Sequence, residues 1–182
     1  RLEFKGRNIV FILYLSTMMI PITVRLIPSY NLCRNLNMLD TYMGMILPQV
    51  AWSIPFGTFL MRQFYMGIPK QLDEAAKIDG ASHFQIFWKI LLPNTKSSMT
   101  TLGIYTFISA WNNLIWMLLS VRSESKWTVT LGISSICGAS VIKQPTWNLI
   151  MGVIVIGMIP VLILFFAFQK YFMQSVAATG IK

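Results

Sequence analysis

Four long stretches without charged side chains constrain the fold of this chain more than any other feature of its sequence. They cover residues 8–24, 36–61 (where Asp40 is the only charge), 97–121 and 144–169. Because about 20 consecutive apolar residues cross the core of a bilayer, each stretch is a candidate transmembrane helix. One such stretch alone could be a buried core helix, but four of them in 182 residues indicate an integral membrane protein.

The composition supports a membrane protein. Charged residues make up 12% of the chain, against about 25% in typical soluble domains. The net charge of +9 does not indicate nucleic-acid binding, because the basic residues are not clustered among aromatic ones. We therefore predict an all-α membrane protein with four transmembrane helices and no nucleic-acid partner.

The first two predicted spans carry features that leave their shape open. The 17 residues of the first stretch would rise only about 26 Å as a helix, which is short unless the Arg25 side chain extends to the membrane surface. The polar residues 29–41 would follow at the outer surface. The second span, about residues 43–61, has four residues that fit either a bent helix lining a translocation path or ordinary packing at small residues. These are Gly44, Pro48, Pro55 and Gly57.

A polar segment at about residues 66–96 separates the second span from the third, and its local chemistry predicts a hairpin of two short helices. Pro69 can occupy the first helical position, where its missing N–H costs nothing. Gly80 suits the C-terminal cap of the first helix, because glycine adopts a left-handed conformation without strain. Ser82 then reads as the N-cap of a second helix, with Gln85 completing a capping box.

Apolar residues recur on both predicted hairpin helices. In the first helix they form a partly apolar face, comprising Leu72, Ala75, Ala76 and Ile78. In the second they form a single stripe, comprising Phe84, Phe87, Trp88 and Leu91. Pro93 is expected to close this helix or to bend it into the next. The hairpin could touch a partner in water, or it could be a solvated loop with a little amphipathic helix on the membrane surface.

Two adjacent amides end the third span at Asn112 and Asn113, next to Trp111. Amides at membrane depth are costly unless they face a partner helix or a watery cavity. Amides beside an indole ring suit a sugar, so Trp111, Asn112 and Asn113 are candidate residues of a substrate pathway. Trp116 and Trp127 are instead expected to be anchors at the membrane surface.

Several kinds of chemistry are missing from the sequence. There is no glycine loop of the type that cradles phosphates, so we expect this chain not to bind ATP. Cys33 and Cys137 lack metal-binding spacing and are expected to be free thiols, although a disulfide between them stays open. His83 has no second ligand nearby in sequence, so we expect no metal site and no catalytic residue.

The acidic residues separate two classes of transporter. They all fall in predicted loops or at chain ends, and they are Glu3, Asp40, Asp73, Glu74, Asp79 and Glu124. An ion-coupled secondary carrier usually needs an ionisable group inside the membrane. This pattern therefore favours a transporter whose energy arrives through the polar hairpin and not through an ion bound inside the membrane. An ion-coupled carrier and a non-transport membrane scaffold remain the alternatives.

The hairpin resembles the signature of the inner-membrane permease subunits of ABC importers. That signature has Glu-Ala-Ala, three residues, Gly, nine residues, Ile, one residue and Leu-Pro. Here it is matched by Glu74, Ala75, Ala76, Gly80, Ile90, Leu92 and Pro93. The variant with Asp79 before the glycine is most similar to the carbohydrate-uptake, maltose-type branch, and the resemblance extends over essentially the whole chain. The family often carries an acid where this chain has Asn113.

The resemblance implies a partial type I ABC importer permease fold: residues 1–182 would form one transmembrane domain that lacks its first two spans, with a cytoplasmic coupling loop at about residues 66–96. It also implies partners. An ABC ATPase dimer would bind ATP and magnesium and receive the hairpin, and a second, different permease subunit would complete the passage. An extracytoplasmic solute-binding protein would deliver a sugar or sugar-like solute.

The distribution of basic residues gives an independent prediction of orientation. With the N-terminus in the cytoplasm, ten basic residues lie inside, namely Arg1, Lys5, Arg7, Arg62, Lys70, Lys77, Lys89, Lys96, Lys170 and Lys182. Five lie outside, namely Arg25, Arg34, Arg122, Lys126 and Lys143. This excess follows the positive-inside rule. It predicts that both termini and the hairpin lie in the cytoplasm, and the resemblance implies that the membrane is a bacterial inner membrane.

Overall fold

The computed structural model describes residues 4–143 and 147–179, and for residues 139–143 and 170–179 it describes the backbone alone. All regular structure in these ranges is helical, as predicted. The α-helices are α1 (Arg7–Ser16), α2 (Ile22–Asn35), α3 (Tyr42–Gly67), α4 (Gln71–Ile78), α5 (His83–Ile86), α6 (Leu92–Asn94), α7 (Lys96–Trp111), α8 (Leu114–Ser120), α9 (Val129–Lys143) and α10 (Trp147–Thr179). Short 3-10 helices occupy Thr17–Met19 and Glu124–Lys126, and a π-helical turn occupies Phe87–Leu91.

Two helices are long and apolar enough to cross a membrane, α3 over 26 residues and α10 over its first 23 residues. Two further candidates are bent pairs: α1 with its 3-10 turn and α2, bent by 95°, and α7 with α8, bent by 54°. The described residues therefore provide up to four spans if each bent pair crosses once. The predicted start of the fourth stretch, Gln144, lies outside the described residues.

The first predicted span is wrong as a single helix ending near residue 24. The chain leaves the helix at a 3-10 turn, and Pro21 has extended backbone angles (φ −56°, ψ 142°) as the residue before α2. Proline disfavours helical geometry in the residue that precedes it, which explains the break. Helix α2 then continues through Pro28 to Asn35, so much of the segment expected to be a polar surface connection is helical.

Helix α9 was not predicted. The four uncharged stretches leave residues 122–143 as a connection, but 15 residues, Val129–Lys143, form a helix there. Leu131 in this helix is buried and joins a cluster with residues of other helices. The sequence signal was an apolar run too short for a span, which is how a buried core helix looks.

The chain forms two compact units. The first contains the described parts of residues 1–18, 54–104 and 168–182, and the second contains those of residues 19–53 and 105–167. The core of the first unit consists of Ala76, Ile86 and Leu91. The core of the second consists of Leu26, Cys33, Met45, Trp116, Met117, Val121 and Leu131. Helices α3, α7 and α10 contribute residues to both units.

The second unit is centred on Trp116, whose side chain is completely buried. Its indole N–H donates a hydrogen bond to the carbonyl oxygen of Gly44 (3.1 Å). Its ring meets Trp52 edge-on at 5.2 Å between centroids. The prediction that Trp116 anchors the chain at the membrane surface is therefore wrong, because the indole N–H is satisfied inside the protein.

The glycines of α3 favour close packing over a loosened helix. A Cβ atom at Gly44 would lie 2.0 Å from the carbonyl oxygen of Met38, so a side chain cannot be added without moving the backbone. A Cβ atom at Gly57 would lie 3.4 Å from Leu102, which is ordinary contact. Thus Gly44 is a point of close approach, and Gly57 makes room for a neighbouring helix.

Asp40 joins two loops of the second unit. Its backbone has positive φ (58°), a conformation that aspartate tolerates better than most residues. Its Oδ1 accepts hydrogen bonds from the backbone N–H groups of Arg122 and Ser123, both at 3.0 Å. Its Oδ2 accepts from the Ser123 hydroxyl and lies 3.4 Å from Nζ of Lys126. We call this arrangement the Asp40 clasp.

Hydrogen bonding lowers the pKa of the Asp40 carboxyl well below its ordinary value. The largest cause is the Ser123 hydroxyl, followed by the backbone N–H groups of Ser123 and Arg122. A carboxylate that accepts several hydrogen bonds is favoured over the neutral acid. The clasp therefore holds an ionised Asp40, consistent with its predicted position in a loop.

Candidate functional site

The hairpin predicted at about residues 66–96 is present in the first unit. Helix α4 begins at Gln71, and the carbonyl of Lys70 accepts hydrogen bonds from the N–H groups of Asp73 (2.9 Å) and Glu74 (3.1 Å). Pro69 lies before this turn and not at the first helical position, so that prediction is wrong by two residues. Asp73 and Glu74 occupy the first turn, where the helix dipole favours negative charge.

The first helix ends at Gly80 as predicted. Gly80 has φ +77°, in the left-handed region that glycine adopts without strain. Its N–H donates to the carbonyl of Lys77 (3.0 Å), and the N–H of Ala81 donates to the carbonyl of Ala76 (2.9 Å). This pair of bonds is the Schellman motif, and it fixes the direction in which the chain leaves α4.

The second helix begins with the predicted capping box. The Ser82 hydroxyl accepts from the backbone N–H of Gln85 (3.3 Å). The Gln85 side-chain oxygen accepts from the backbone N–H of Ser82 (2.8 Å). Since the joint is capped on both sides of Gly80, the hairpin has a defined geometry and is not a loose loop.

Only one residue of the predicted apolar face of α4 is buried. Ala76 packs against Ile86 and Leu91, while Leu72 is 44% exposed and Ile78 is 87% exposed. Of the partly apolar face predicted for α4, the hairpin core contains Ala76. The other apolar side chains of α4 point to the surrounding medium.

The charged residues of α4 line a cleft of about 870 Å³. They recur at three- and four-residue spacing, which places them on one face of the helix. The residues around the cleft are Tyr65, Lys70, Asp73, Glu74, Lys77, His83, Phe84, Ile86, Phe87 and Leu91. Glu74 thus faces the cleft, whereas Asp79 is the exposed C-terminal cap of α4.

The aromatic stripe of the second helix divides into an inner and an outer part. Phe87 contacts Tyr65 of α3 with ring centroids 6.2 Å apart, and Leu91 is buried in the hairpin core. Phe84 and Trp88 are 6.0 Å apart, with 71% and 52% of their surfaces exposed. Phe87 and Leu91 therefore anchor the hairpin to its own chain, whereas Phe84 and Trp88 are exposed and available for contact with a partner.

The exit from the hairpin is a π-helical turn over Phe87–Leu91, in which the N–H of Leu92 donates to the carbonyl of Phe87. Helix α6 continues through Pro93 to Asn94, so the proline does not itself end the helix, and the alternative that it bends the chain into α7 stays a prediction. The chain leaves helical geometry at Thr95 (φ −110°, ψ 18°). Ile90 is partly buried against the hairpin core, and Leu92 and Pro93 form the joint to α7.

Side chains supply hydrogen bonds at this joint. The Asn94 amide donates to the carbonyl of Ile90 (2.7 Å). The Thr95 hydroxyl lies 3.0 Å from the carbonyl of Leu91 and 3.1 Å from that of Leu92. Sequence reasoning missed both residues, although Asn and Thr commonly bond to nearby backbone.

The candidate substrate residues lie in the second unit, at the bend between α7 and α8. Asn113 caps α8, since its Oδ1 accepts from the N–H of Trp116 (3.3 Å). Its Nδ2 donates to the side-chain oxygen of Gln49 (3.1 Å). The bend thus has a helix cap and a cross-helix bond that the sequence did not reveal, and contact of Asn113 with a solute stays a prediction.

The two other candidates at this bend have different surroundings. Trp111 stacks on Phe107 with ring centroids 5.5 Å apart, and its carbonyl accepts from the Thr130 hydroxyl. Asn112 is exposed, so its amide is available to the surrounding medium.

Elsewhere, Cys33 and Cys137 are both free thiols, Cys33 being buried. His83 is exposed at the start of α5. Within residues 4–143 and 147–179, no three His, Cys, Asp or Glu side chains are grouped as a metal site requires.

The family described as "Binding-protein-dependent transport system inner membrane component" matches residues 1–178. The chain is 34% identical over 180 residues to the arabinooligosaccharides transport system permease protein AraQ of Bacillus subtilis (strain 168), covering 99% of this chain and 62% of that protein. It is 38% identical over 174 residues to the sn-glycerol-3-phosphate transport system permease protein UgpE of Yersinia enterocolitica, covering 95% and 60%. The chain thus spans about three fifths of the length of these relatives.

Proposed function

Because this chain belongs to the family of binding-protein-dependent transport system inner membrane components, we propose that it is a permease subunit of an ATP-driven ABC importer. The solute would be a sugar or a sugar-like molecule that moves into the cytoplasm. The observation that carries the proposal is the capped hairpin, in which the signature residues from Glu74 to Pro93 form a rigid element with an exposed surface.

The hairpin would dock on a separate ATPase subunit. Its exposed apolar side chains, Leu72, Ile78, Phe84 and Trp88, are available for burial. Complete burial of one such side chain contributes about 1.5–3 kcal/mol. Glu74 and the lysines of the adjacent cleft would add charged contacts that select the partner.

ATP and magnesium would be bound by the ATPase dimer, and this chain would contribute no catalytic group. When the ATPase dimer closes on ATP, it would displace the hairpin, and the joint at Pro93 would pass the displacement to α7. The capped ends at Gly80 and Ser82 support this role, because a hairpin of fixed geometry moves as one piece.

A second, related permease subunit would complete the passage, since the up to four spans among the described residues are too few to enclose a sugar. An extracytoplasmic solute-binding protein would deliver the solute. The chain would lie in a bacterial inner membrane, with the hairpin and both termini in the cytoplasm. The excess of basic residues on that side supports the orientation.

The solute class is proposed from the relatives and from the bend between α7 and α8. Relatives are named for the transport of arabinooligosaccharides and of sn-glycerol-3-phosphate, and both kinds of solute carry hydroxyl groups. The exposed Asn112 amide, together with Trp111 and Asn113, would bind hydroxyls and the apolar face of a polyol.

The test is uptake into right-side-out vesicles that contain the assembled importer and are loaded with ATP. Glu74→Lys and Gly80→Asp should each reduce ATP-dependent uptake by about tenfold or more, because the first reverses a charge on the proposed docking surface and the second places a side chain at a positive φ of 77°. The chain should remain in the membrane. Lys89→Gln, a surface change outside the cleft, serves as the control and should leave uptake unchanged.

Two results would contradict the proposal. Full uptake and full ATPase association in both variants would exclude the coupling role of the hairpin. Uptake that follows an ion gradient and needs no ATPase subunit would instead identify an ion-coupled carrier.

A further inference from the structure

The joint between the hairpin and α7 is the one place where the proposed displacement must pass through irregular backbone. The π-helical turn, Pro93 and the non-helical Thr95 follow one another within nine residues, Phe87 to Thr95. Proline has no N–H to donate, so it cannot bond to the carbonyl four residues earlier. Prolines and π-helical turns are the usual places at which helices kink, so this joint would ordinarily be a hinge.

Two side chains add hydrogen bonds across this joint. The Asn94 amide donates to the carbonyl of Ile90 at 2.7 Å, one turn back. The Thr95 hydroxyl lies within bonding distance of two carbonyls, those of Leu91 and Leu92. Together they reach three successive carbonyls, of which that of Leu92 also accepts from the backbone N–H of Thr95 (3.2 Å).

Thr95 is in a position to make these bonds strong. Only 2% of its surface is exposed, so water does not compete for its hydroxyl. It lies between Leu91, which is buried in the hairpin core, and the first turn of α7, where its own carbonyl accepts from the N–H of Met99 (2.9 Å). The hydroxyl and the carbonyl of one buried residue therefore connect the hairpin to α7.

We propose that Thr95 and Asn94 are positioning residues that stiffen this joint, so that displacement of the hairpin is transmitted to α7. Without them, bending at Pro93 would absorb the displacement. This inference rests on the proposed function. It adds Asn94 and Thr95, which lie just after the last signature residue, to the residues that transport requires.

The test compares variants that differ only in the hydroxyl. Thr95→Val keeps the shape of the side chain but removes the donor, and Thr95→Ser keeps the donor. In the assembled importer, Thr95→Val should lower the amount of solute moved per ATP hydrolysed by about tenfold, the range expected for one buried hydrogen bond. Thr95→Ser should retain most of the wild-type ratio, and ATP hydrolysis and subunit assembly should stay near wild type in both.

Thr100→Val is the matched control. Thr100 also donates through its hydroxyl to a carbonyl four residues earlier, that of Lys96 (2.9 Å), but it does so inside the regular helix α7. Removing that hydroxyl should leave the ratio unchanged. Asn94→Asp removes the amide donor at an exposed position, so it tests the joint even if Thr95→Val fails to assemble.

The outcomes separate the two proposals. If the wild-type importer moves solute with ATP and both Thr95→Val and Asn94→Asp keep the wild-type ratio, the positioning role is excluded while the proposed function stands. If Thr100→Val uncouples as strongly as Thr95→Val, the effect is not specific to the joint and the inference is also excluded. If the wild-type importer shows no ATP-dependent uptake, the proposed function fails, and the positioning role fails with it.

Discussion

At the residue scale, Gly80 and Gly44 are required for different reasons. Gly80 has open space around it, and it is needed for its positive φ of 77°. Gly44 has ordinary backbone angles in the first turn of α3, and it is needed because Met38 approaches it so closely. The sequence predicted the role of Gly80, because a helix cap depends on neighbouring residues. The role of Gly44 could not be predicted, because it depends on where the loop that contains Met38 lies.

Gly44→Ala is expected to destabilise the protein by about 1–3 kcal/mol, the usual cost of overpacking. The new methyl would lie 2.0 Å from the Met38 carbonyl oxygen, and moving the backbone would also disturb the carbonyl that accepts from Trp116. The measurement is the midpoint of thermal unfolding in detergent. Gly57→Ala, where the nearest atom is 3.4 Å away, is the control, and equal midpoints for the two variants would contradict the explanation.

At the element scale, the hairpin was the most predictable part of the fold. The Gly80 cap and the Ser82 capping box depend on residues that are close in sequence, so their spacing alone identified them. The Asp40 clasp and the burial of Trp116 depend on partners 72 to 86 residues away. No local pattern reveals such a partner, and for this reason an isolated tryptophan and an isolated aspartate were interpreted as surface residues.

The helices were predictable where apolar length alone determines them, as in α3 and α10. The sequence did not predict the 95° bend between α1 and α2, which follows a 3-10 turn and the extended backbone at Pro21. It also missed α9, because an apolar run of that length has no unique interpretation. Among the candidate substrate residues, the cap formed by Asn113 was recognisable only once the break between α7 and α8 was known.

The Asp40 clasp should make stability depend on acid pH. Because the pKa of Asp40 is lower in the folded than in the unfolded protein, its stabilising contribution is complete above the ordinary aspartate pKa of about 3.9 and is lost as the pH falls below it. The unfolding midpoint should therefore drop more between pH 5 and pH 3 for the wild type than for Asp40→Asn. Asp79→Asn, at an exposed helix end, should follow the wild type; parallel curves for all three proteins would contradict the role of the clasp.

At the scale of the whole molecule, much of the apolar surface is exposed, as it is in a protein that lipid surrounds. On α10, for example, Ile156 and Phe166 are 64% and 63% exposed. A soluble monomer rarely shows contiguous apolar patches of this kind. The proposed bilayer and partner subunits would cover them. The orientation of the chain determines whether the hairpin faces the proposed intracellular ATPase.

The orientation can be tested by labelling single cysteines in intact cells, in a background where Cys33 and Cys137 are replaced by serine. Glu124→Cys should react with a membrane-impermeant maleimide added outside. Ile78→Cys, at a position 87% exposed in the hairpin, should react only after the cells are permeabilised. Reaction of Ile78→Cys in intact cells would place the hairpin outside and exclude its coupling to an intracellular ATPase.

The exposed hairpin side chains also bear on how the protein would be made. Ile78, Phe84 and Trp88 expose apolar surface next to charged residues. Proteins with such exposed surface tend to aggregate when no partner covers it. A copy synthesised in excess of the proposed partner subunits would leave the apolar hairpin surface exposed to water. Such a copy would be open to degradation by quality-control proteases. Balanced production of all the components would then be a condition for this chain to survive at all.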